Sequence, residues 1–277
     1  MNKTEIEWCD ETWNPITGCD HGCEYCYARN IAHRFAGFEP RCGGEVIPDE
    51  KKKHGKNSIW NTTHGDPLHV FSKQPIRRTK AGIFKKANFP YDFDPTFHRY
   101  RLGEPARKTK PRNIFVCSMA DLFGRWVPTS WILEVLDACL AAPQHRYLFL
   151  TKNSQRYTEL DELALLPREN NFWYGTTIAT GDVPLFLSDY HNTFISMEPI
   201  LEPFPYPENP RTRKLKWIIM GAESGNRKDK VVPERSWVEP VAEFGMMTGI
   251  PVFMKDSMTP IWGEELLREF PWGGAQE

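Results

Sequence analysis

Short, nearly continuous apolar runs alternate with longer amphipathic segments, and this alternation restricts the fold more than any other feature of the sequence. The runs at 114–118, 147–151 and 217–221 lack the strict polar–apolar alternation of a half-exposed strand. Continuous apolar runs are typical of parallel strands that are covered on both faces. Parallel strands that alternate with helices form right-handed βαβ units. We therefore predict an α/β fold, either an open sheet or a partial to full (β/α) barrel.

Element boundaries follow from these runs and from the Pro, Gly and Ser residues that flank them. The predicted strands are 4–8, 113–118, 146–151, 172–178, 193–197, 215–220 and 251–254. The predicted helices are 27–35, 128–142, 154–166, 236–248 and 263–270.

Composition narrows the class of protein. The chain has 277 residues, of which 40% are apolar, enough for a sizeable core. No apolar run approaches the roughly 18 residues that a membrane-spanning helix needs, and the first residues lack the basic and apolar segments of a secretory signal. These features argue against a membrane-spanning, secreted, collagen-like or wholly disordered chain. We expect a cytoplasmic protein.

Charge is distributed unevenly. The net charge is −1, but residues 51–112 hold sixteen Lys and Arg against four Asp and Glu, a charge of +12 that leaves −13 for the rest. This distribution favours a polyanionic partner, with the eight interspersed aromatic rings stacking on exposed bases. The alternative is a solvated segment whose rings form their own small core. We expect an α/β part, 1–36 with 112–277, and a basic insertion, 37–111, that is a small subdomain or partly disordered.

Three of the seven cysteines, Cys19, Cys23 and Cys26, lie within eight residues, and the other four are scattered. An odd number of cysteines in a chain without a secretory signal argues against a disulfide framework and for metal or redox chemistry. Three thiolates on one loop can converge on a single metal centre. Gly18 and Gly22 give the loop the backbone freedom to wrap around it.

Two kinds of metal centre fit three clustered cysteines. A structural zinc ion needs a fourth ligand, which His21, Cys9 or Cys42 could supply. An iron–sulfur cube held by three cysteines leaves one iron open to a further ligand. Zinc motifs usually divide their ligands into two pairs, so the crowding favours the iron–sulfur cube.

The spacing Cys19-x-x-x-Cys23-x-Tyr25-Cys26 resembles the signature of the radical S-adenosylmethionine (SAM) superfamily. In that superfamily the signature lies between the first strand and the first helix of a partial (β/α) barrel. Further stretches resemble the phage-associated three-cysteine-motif proteins, and the resemblance covers nearly the whole chain outside 37–110. These stretches are 6–8 (IEW), 12–19 (TWNPITGC), 26–28 (CYA), 115–123 (FVCSMADLF), 150–152 (LTK), 196–199 (SMEP) and 221–225 (GAESG).

The resemblance implies a fold, a cofactor set and a reaction. The fold is a partial (β/α) barrel of about six or seven parallel strands with a basic insertion. Cys19, Cys23 and Cys26 would hold a 4Fe-4S cluster to which S-adenosylmethionine binds. An electron donor such as a flavodoxin or ferredoxin would drive reductive cleavage of S-adenosylmethionine. The resulting 5′-deoxyadenosyl radical would abstract hydrogen from the substrate.

Active sites of α/β barrels lie at the carboxyl ends of the strands, so the polar residues there are candidates. In place of the superfamily's Gly-Gly-Glu this chain has SMAD at 118–121, which makes Asp121 the expected partner of the methionine ammonium, although it could instead cap a helix. The candidate catalytic residues are Cys117, whose thiol would donate hydrogen, Lys152 and Glu198. The candidate cofactor-binding residues are Tyr25, Ser118, Asp121, Thr176, Ser196, Gly221, Glu223 and Ser224.

Three alternative functions are compatible with these sequence features. The first is a radical SAM enzyme that modifies or repairs a nucleic acid base, DNA more than RNA, which must be flipped or single-stranded to be reached. The basic segment 51–112 favours this function, and the resemblance to phage proteins points to phage DNA and the host cytoplasm. The second is a radical SAM enzyme for a peptide or small metabolite. The third is a zinc-stabilised, non-catalytic module that binds nucleic acid.

Overall fold

A computed structural model describes residues 1–36, 45–47, 68–78, 83–181, 183–204, 210–225 and 227–273. Contacts divide the chain into two compact units. The first consists of Met1–Glu5 with Cys9–Tyr147, and the second of Ile6–Trp8 with Leu148–Glu277. The described part of the predicted insertion belongs to the first unit. Five of the sixteen cations of segment 51–112 lie outside the described residues: Lys51, Lys52, Lys53, Lys56 and Lys80.

The described residues form fourteen strands and five α-helices, and no helix among them is long and apolar enough to cross a membrane. The strands are β1 (Asn2–Lys3), β2 (Glu11–Trp13), β3 (Ile16–Thr17), β4 (Glu45–Ile47), β5 (Leu68–Val70), β6 (Ile76–Arg78), β7 (Phe84–Lys86), β8 (Thr96–Phe97), β9 (Asn113–Val116), β10 (Arg146–Thr151), β11 (Phe172–Thr177), β12 (Asn192–Met197), β13 (Trp217–Met220) and β14 (Val252–Met254). The helices are α1 (Tyr27–Phe35), α2 (Thr129–Leu140), α3 (Gln155–Glu162), α4 (Arg235–Thr248) and α5 (Thr259–Trp262).

In the first unit, β2 pairs antiparallel with β1 and parallel with β9. The strand predicted at 4–8 is therefore wrong, because the strand beside β9 is Glu11–Trp13. Glu11 is only 4% exposed, and its carboxylate accepts a 2.6 Å hydrogen bond from the Lys108 ammonium. In a sequence, a charged residue such as Glu11 argues against a buried strand. In the folded protein its carboxylate can be buried because the Lys108 ammonium, from a distant part of the chain, pairs with it.

The same unit contains a second sheet, in the order β3-β8-β5-β4, and a separate two-stranded ribbon, β6-β7. Four aromatic residues of the predicted basic insertion are buried, and they account for part of the core of this unit. These rings join the core of the unit and do not form a core of the insertion alone. Phe89 and Phe93 pack against Ala28 and Ala32 of α1, and the Phe97 ring lies against that of Trp131 in α2. The buried rings are those of Phe71, Phe89, Phe93 and Phe97.

In the second unit, the sheet has the order β10-β11-β12-β13-β14. The pairs β11/β12, β12/β13 and β13/β14 are all parallel, as the continuous apolar runs predict. One face of these strands packs against α4 in a core that includes Ile195, Ile218 and Val252. Taking the two units together, six of the seven predicted strands are confirmed, and only the first, at 4–8, is wrong.

Four of the five predicted helices begin within one residue of their predicted starts. The helix predicted at 263–270 is wrong. Gly263, with a φ of +74°, ends α5 in the left-handed conformation, as is common one residue past a helix. The chain then runs along β14: the Met254 N–H donates to the Leu267 carbonyl at 2.7 Å, and the Glu269 N–H donates to the Val252 carbonyl at 3.0 Å. The backbone groups of this segment bond to β14, so they do not form a helix.

Candidate functional site

The cysteine loop lies between β3 and α1 in the first unit. Gly18 has a φ of +90°, and a Cβ there would stand 2.2 Å from the Asp94 carbonyl oxygen, so only glycine fits. The Cys19 N–H donates to the Phe93 carbonyl at 3.0 Å, which fixes the start of the loop. Gly22 also has a positive φ, +72°. The prediction that these two glycines let the loop turn is confirmed.

The three loop thiols are free and half-buried. Cys26 caps α1, because its sulfur accepts the Arg29 N–H at 3.4 Å, and its own N–H donates to the Cys23 carbonyl at 3.3 Å. The first of these bonds places the Cys26 thiol at the amino end of a helix, and the second fixes the backbone between Cys23 and Cys26. Of the other cysteines suggested as ligands, Cys9 is buried and Cys42 lies outside the described residues.

The electrostatic environment of the loop disfavours an isolated thiolate. Burial raises the pKa of Cys19, and the negative charge of Asp121 and the neighbouring Cys26 and Cys23 raise it further. Among the described residues, no three His, Cys, Asp or Glu side chains are gathered as a metal-binding group. In number and chemistry the donors fit a cluster held by three cysteines, and a bound metal would offset the repulsion between their thiolates.

His21 interacts with a carboxylate in the same unit. Its Nε2 lies 2.7 Å from Asp121 Oδ2, and its ring packs edge-on against Trp126 with the ring centres 4.8 Å apart. The other carboxylate oxygen, Oδ1, accepts the Phe123 N–H at 3.0 Å. Asp121 therefore caps the turn after β9 and not a helix, since α2 begins only at Thr129, and it also contacts a histidine that could serve as a zinc ligand.

A polar network fixes the turn that follows β9. The Ser118 hydroxyl donates to Asn14 Oδ1 at 3.2 Å, and the same oxygen accepts the Met119 N–H at 2.9 Å. The Tyr27 hydroxyl donates to the Ser118 carbonyl at 2.9 Å. Asn14 was not a predicted site residue, and its only sequence signal is its place in the TWNP stretch. Tyr25 is half-buried in the cysteine loop.

Cys117 directly follows β9 and has an unusual backbone conformation. Its φ is +60°, which is uncommon for a residue with a side chain, and its N–H donates to the Trp13 carbonyl at 2.7 Å. The thiol is 2% exposed, and burial raises its pKa to about 12. At neutral pH the side chain is therefore a protonated thiol and not a nucleophilic thiolate.

In the second unit, strand register separates two of the predicted residues. Thr176 pairs with Ile195, which faces α4, whereas Thr177 pairs with Ser196. Side chains alternate between the faces of a strand, so Thr176 and Ser196 lie on opposite faces and Thr177 shares the face of Ser196. Both predicted residues are buried, and the Thr176 hydroxyl has no hydrogen-bond partner among the described residues.

Glu198 and Lys255 form an ion pair at the ends of β12 and β14. Gly221 ends β13 between them, and a Cβ there would stand 3.1 Å from Lys255 Cδ and 3.3 Å from Glu198 Cγ. The side chains of the pair are only 25% and 15% exposed, respectively. The absent side chain at Gly221 thus makes room for the pair. Lys255 directly follows the last apolar run, so the expectation that polar residues at strand ends are candidates includes it.

Glu223, after β13, forms a further ion pair at the strand ends of this unit. It is 7% exposed, and both its oxygens accept hydrogen bonds from the Arg227 guanidinium at 2.7 and 2.8 Å. These bonds lower the pKa of Glu223. Arg227 was not predicted, and its only signal is its position four residues after the acid. Ser224 is exposed and Lys152 is half-buried after β10.

These features define an α/β protein that carries a three-cysteine loop in one unit and paired charges at the strand ends of the other. Residues 3–267 match the family described as "Protein of unknown function (DUF5131)". Since the match spans nearly the whole chain, the protein belongs to this family. No curated protein and no solved structure matches the chain.

Proposed function

We propose that the protein is a radical SAM enzyme that modifies or repairs a base of nucleic acid, with phage DNA as the expected substrate. The observation that carries the proposal is the cysteine loop. Its three free, half-buried thiols follow a glycine that no other residue can replace, and the third of them caps the first turn of a helix. The spacing of these thiols is the one that resembles the superfamily signature.

Cys19, Cys23 and Cys26 would hold a 4Fe-4S cluster. When bound, the cluster and S-adenosylmethionine supply a 5′-deoxyadenosyl radical, with the electron provided by a donor such as a flavodoxin or ferredoxin. Asp121, which His21 contacts, places a negative charge that acts on the Cys19 thiol. We assign this carboxylate to the methionine ammonium of S-adenosylmethionine, since an anion favours a cationic group nearby.

His21 also bears on the zinc alternative. Its Nε2 already contacts the Asp121 carboxylate, so this atom would have to leave that partner to become the fourth ligand of a zinc site. The proposed function therefore does not use His21 as a metal ligand. A non-catalytic zinc module becomes one of the outcomes of the experiment below.

Cys117 is suited to donate a hydrogen atom because its thiol remains protonated at neutral pH. In that step the S–H bond breaks, a C–H bond forms on the substrate radical, and a sulfur radical remains. An electron from the electron donor and a proton from solvent restore the thiol. A Cys117→Ala variant should still form 5′-deoxyadenosine but release less of the hydrogenated product, as mass spectrometry would show.

The strand ends of the second unit carry the remaining assignments. Glu198 and Lys152 are the proposed groups for proton transfer to and from the substrate. Ser196, Gly221, Glu223 and Ser224 are proposed to bind S-adenosylmethionine. Thr177 replaces Thr176 in this set because it lies on the Ser196 face of the sheet.

Anaerobic reconstitution tests the proposal. The protein should be brown, contain iron and sulfide, and form 5′-deoxyadenosine from S-adenosylmethionine with dithionite. DNA should stimulate this reaction and acquire a modified nucleoside that mass spectrometry detects. If a peptide or metabolite extract stimulates the reaction and DNA does not, the proposed substrate class, nucleic acid, is wrong. Colourless protein with stoichiometric zinc and no 5′-deoxyadenosine would refute radical chemistry and support a zinc-stabilised module.

A further inference from the structure

The ribbon β6-β7 forms a two-stranded sheet of its own in the first unit. In its antiparallel register Arg77 lies directly opposite Lys85. Like charges in directly opposed positions destabilise a strand pair. Two-stranded ribbons are at best marginally stable in water, so this ribbon carries a charge arrangement that its own folding does not favour.

The exposed lysines of the ribbon and of the segment before it have no acidic partner among the residues that the structure describes. Residues 67–91 contain six Lys and Arg and no Asp or Glu. Lys73, Lys85 and Lys86 are exposed, and no acidic side chain among the residues that the structure describes forms an ion pair with them. Exposed cations without acidic partners attract an anionic ligand and bind it in a salt-dependent way.

An exposed aromatic ring lies among these cations. Phe84 is 62% exposed and the preceding Ile83 is 58% exposed, whereas Phe71 and Phe97 of the same unit are at most 1% exposed. Among the described rings of the basic segment, the largely exposed ring of Phe84 is therefore distinct from the buried rings of the core. A ring beside lysines is the combination with which proteins bind single strands, through base stacking and phosphate contacts.

We propose that the ribbon β6-β7 binds an unpaired nucleic acid strand, with Phe84 stacked on a base and Lys86, which shares the face of Phe84, against a phosphate, while Lys73 and Lys85 add to the local positive charge. This inference rests on the proposed function, and it identifies the surface that would hold the substrate strand. An unpaired strand is favoured over a duplex because the face of a base is open to a ring only when the base is not stacked in a helix.

Fluorescence anisotropy of the full-length, anaerobically reconstituted protein tests the ribbon. The probes are a labelled single-stranded DNA of about 16 nucleotides, the upper end of site sizes for such surfaces, and its duplex. The Phe84→Ala variant should bind the single strand about tenfold more weakly, and Phe84→Trp should bind it like the wild type. The Lys86→Gln variant should reduce the salt slope by roughly 0.7, which is the contribution of one phosphate contact on a single strand.

Two matched controls should leave binding unchanged: Tyr190→Ala removes a ring that is 70% exposed in the second unit, and Lys3→Gln removes an exposed lysine in β1. A Phe84→Ala or Lys86→Gln variant that binds like the wild type, duplex bound more tightly than single strand, or wild-type protein that binds no DNA would each overturn the inference. If the wild type binds DNA through the ribbon but forms no 5′-deoxyadenosine, the proposed function fails and the ribbon inference stands.

Discussion

The cysteine loop and the strand ends of the second unit differ in how their charged groups are balanced. In the loop, deprotonation of Cys19 is opposed by burial, by Asp121 and by the neighbouring thiols. At the strand ends, Glu198 is paired with Lys255 and Glu223 with Arg227. At the strand ends each of these carboxylates is paired with a cationic side chain of the same unit. In the loop the neighbouring groups are all negative when ionised, so they repel one another. Such a loop gains from a cationic ligand, and the strand ends gain nothing comparable.

The largest expected effect comes from replacing a cysteine of the loop. Replacing any one of Cys19, Cys23 and Cys26 by serine should reduce bound iron and 5′-deoxyadenosine formation to background, because two thiolates cannot hold the cluster that three are proposed to hold. Metal analysis and mass spectrometry after anaerobic reconstitution measure both quantities. A Cys9→Ala variant, which removes a buried thiol outside the loop, should keep its iron. Iron retained by all three serine variants would show that the loop is not the ligand set.

The next largest effect comes from removing one partner of the Glu198–Lys255 ion pair. Lys255→Met should lower the free energy of unfolding by about 1–3 kcal/mol, because it leaves the half-buried Glu198 carboxylate without its partner. Urea denaturation measures the loss. In Lys255→Met/Glu198→Gln part of the loss should be recovered, since no uncompensated carboxylate remains. Strictly additive losses would mean that the two side chains do not interact in solution.

The pH dependence of stability tests whether Glu223, unlike the groups of the cysteine loop, is stabilised in its ionised form. Its pKa is lower in the folded protein than its ordinary value, so the unfolded chain binds more protons. The stabilisation is complete above the ordinary glutamate pKa and is lost as pH falls through the lowered folded value. Arg227→Met should cost about 1–2 kcal/mol at neutral pH and should flatten the acid limb of stability against pH. An unchanged acid limb, measured by urea denaturation from pH 7 downwards, would contradict this assignment.

The smallest effect concerns the space above Gly221. Gly221→Ala should cost about 1 kcal/mol, because the added Cβ would crowd Lys255 Cδ and Glu198 Cγ and displace their ion pair slightly. Thermal unfolding measures the shift. Gly103→Ala is the matched control, since its Cβ would meet only Arg107 at an ordinary 3.6 Å. Equal effects of the two substitutions would show that the pair does not depend on the open space.

Local patterns predicted much of the architecture. Continuous apolar runs identified six strands, and amphipathic periodicity located α1 to α4, because burial on one or both faces leaves a signal within each segment. The segments 4–8 and 263–270 were mispredicted. In both cases the outcome depended on distant partners: Lys108 for the buried Glu11, and the edge of β14 for residues 267–269.

The candidate site divides in the same way. Sequence alone located the three cysteines and the flanking glycines, since their spacing and the turn they require are properties of one short segment. The tertiary structure decided that His21 contacts Asp121, that Lys255 pairs with Glu198 across Gly221, and that Thr177 shares the Ser196 face. These pairings join residues that are distant in the chain, and a hydrogen bond or an ion pair depends on distance in space, which spacing along the chain does not encode.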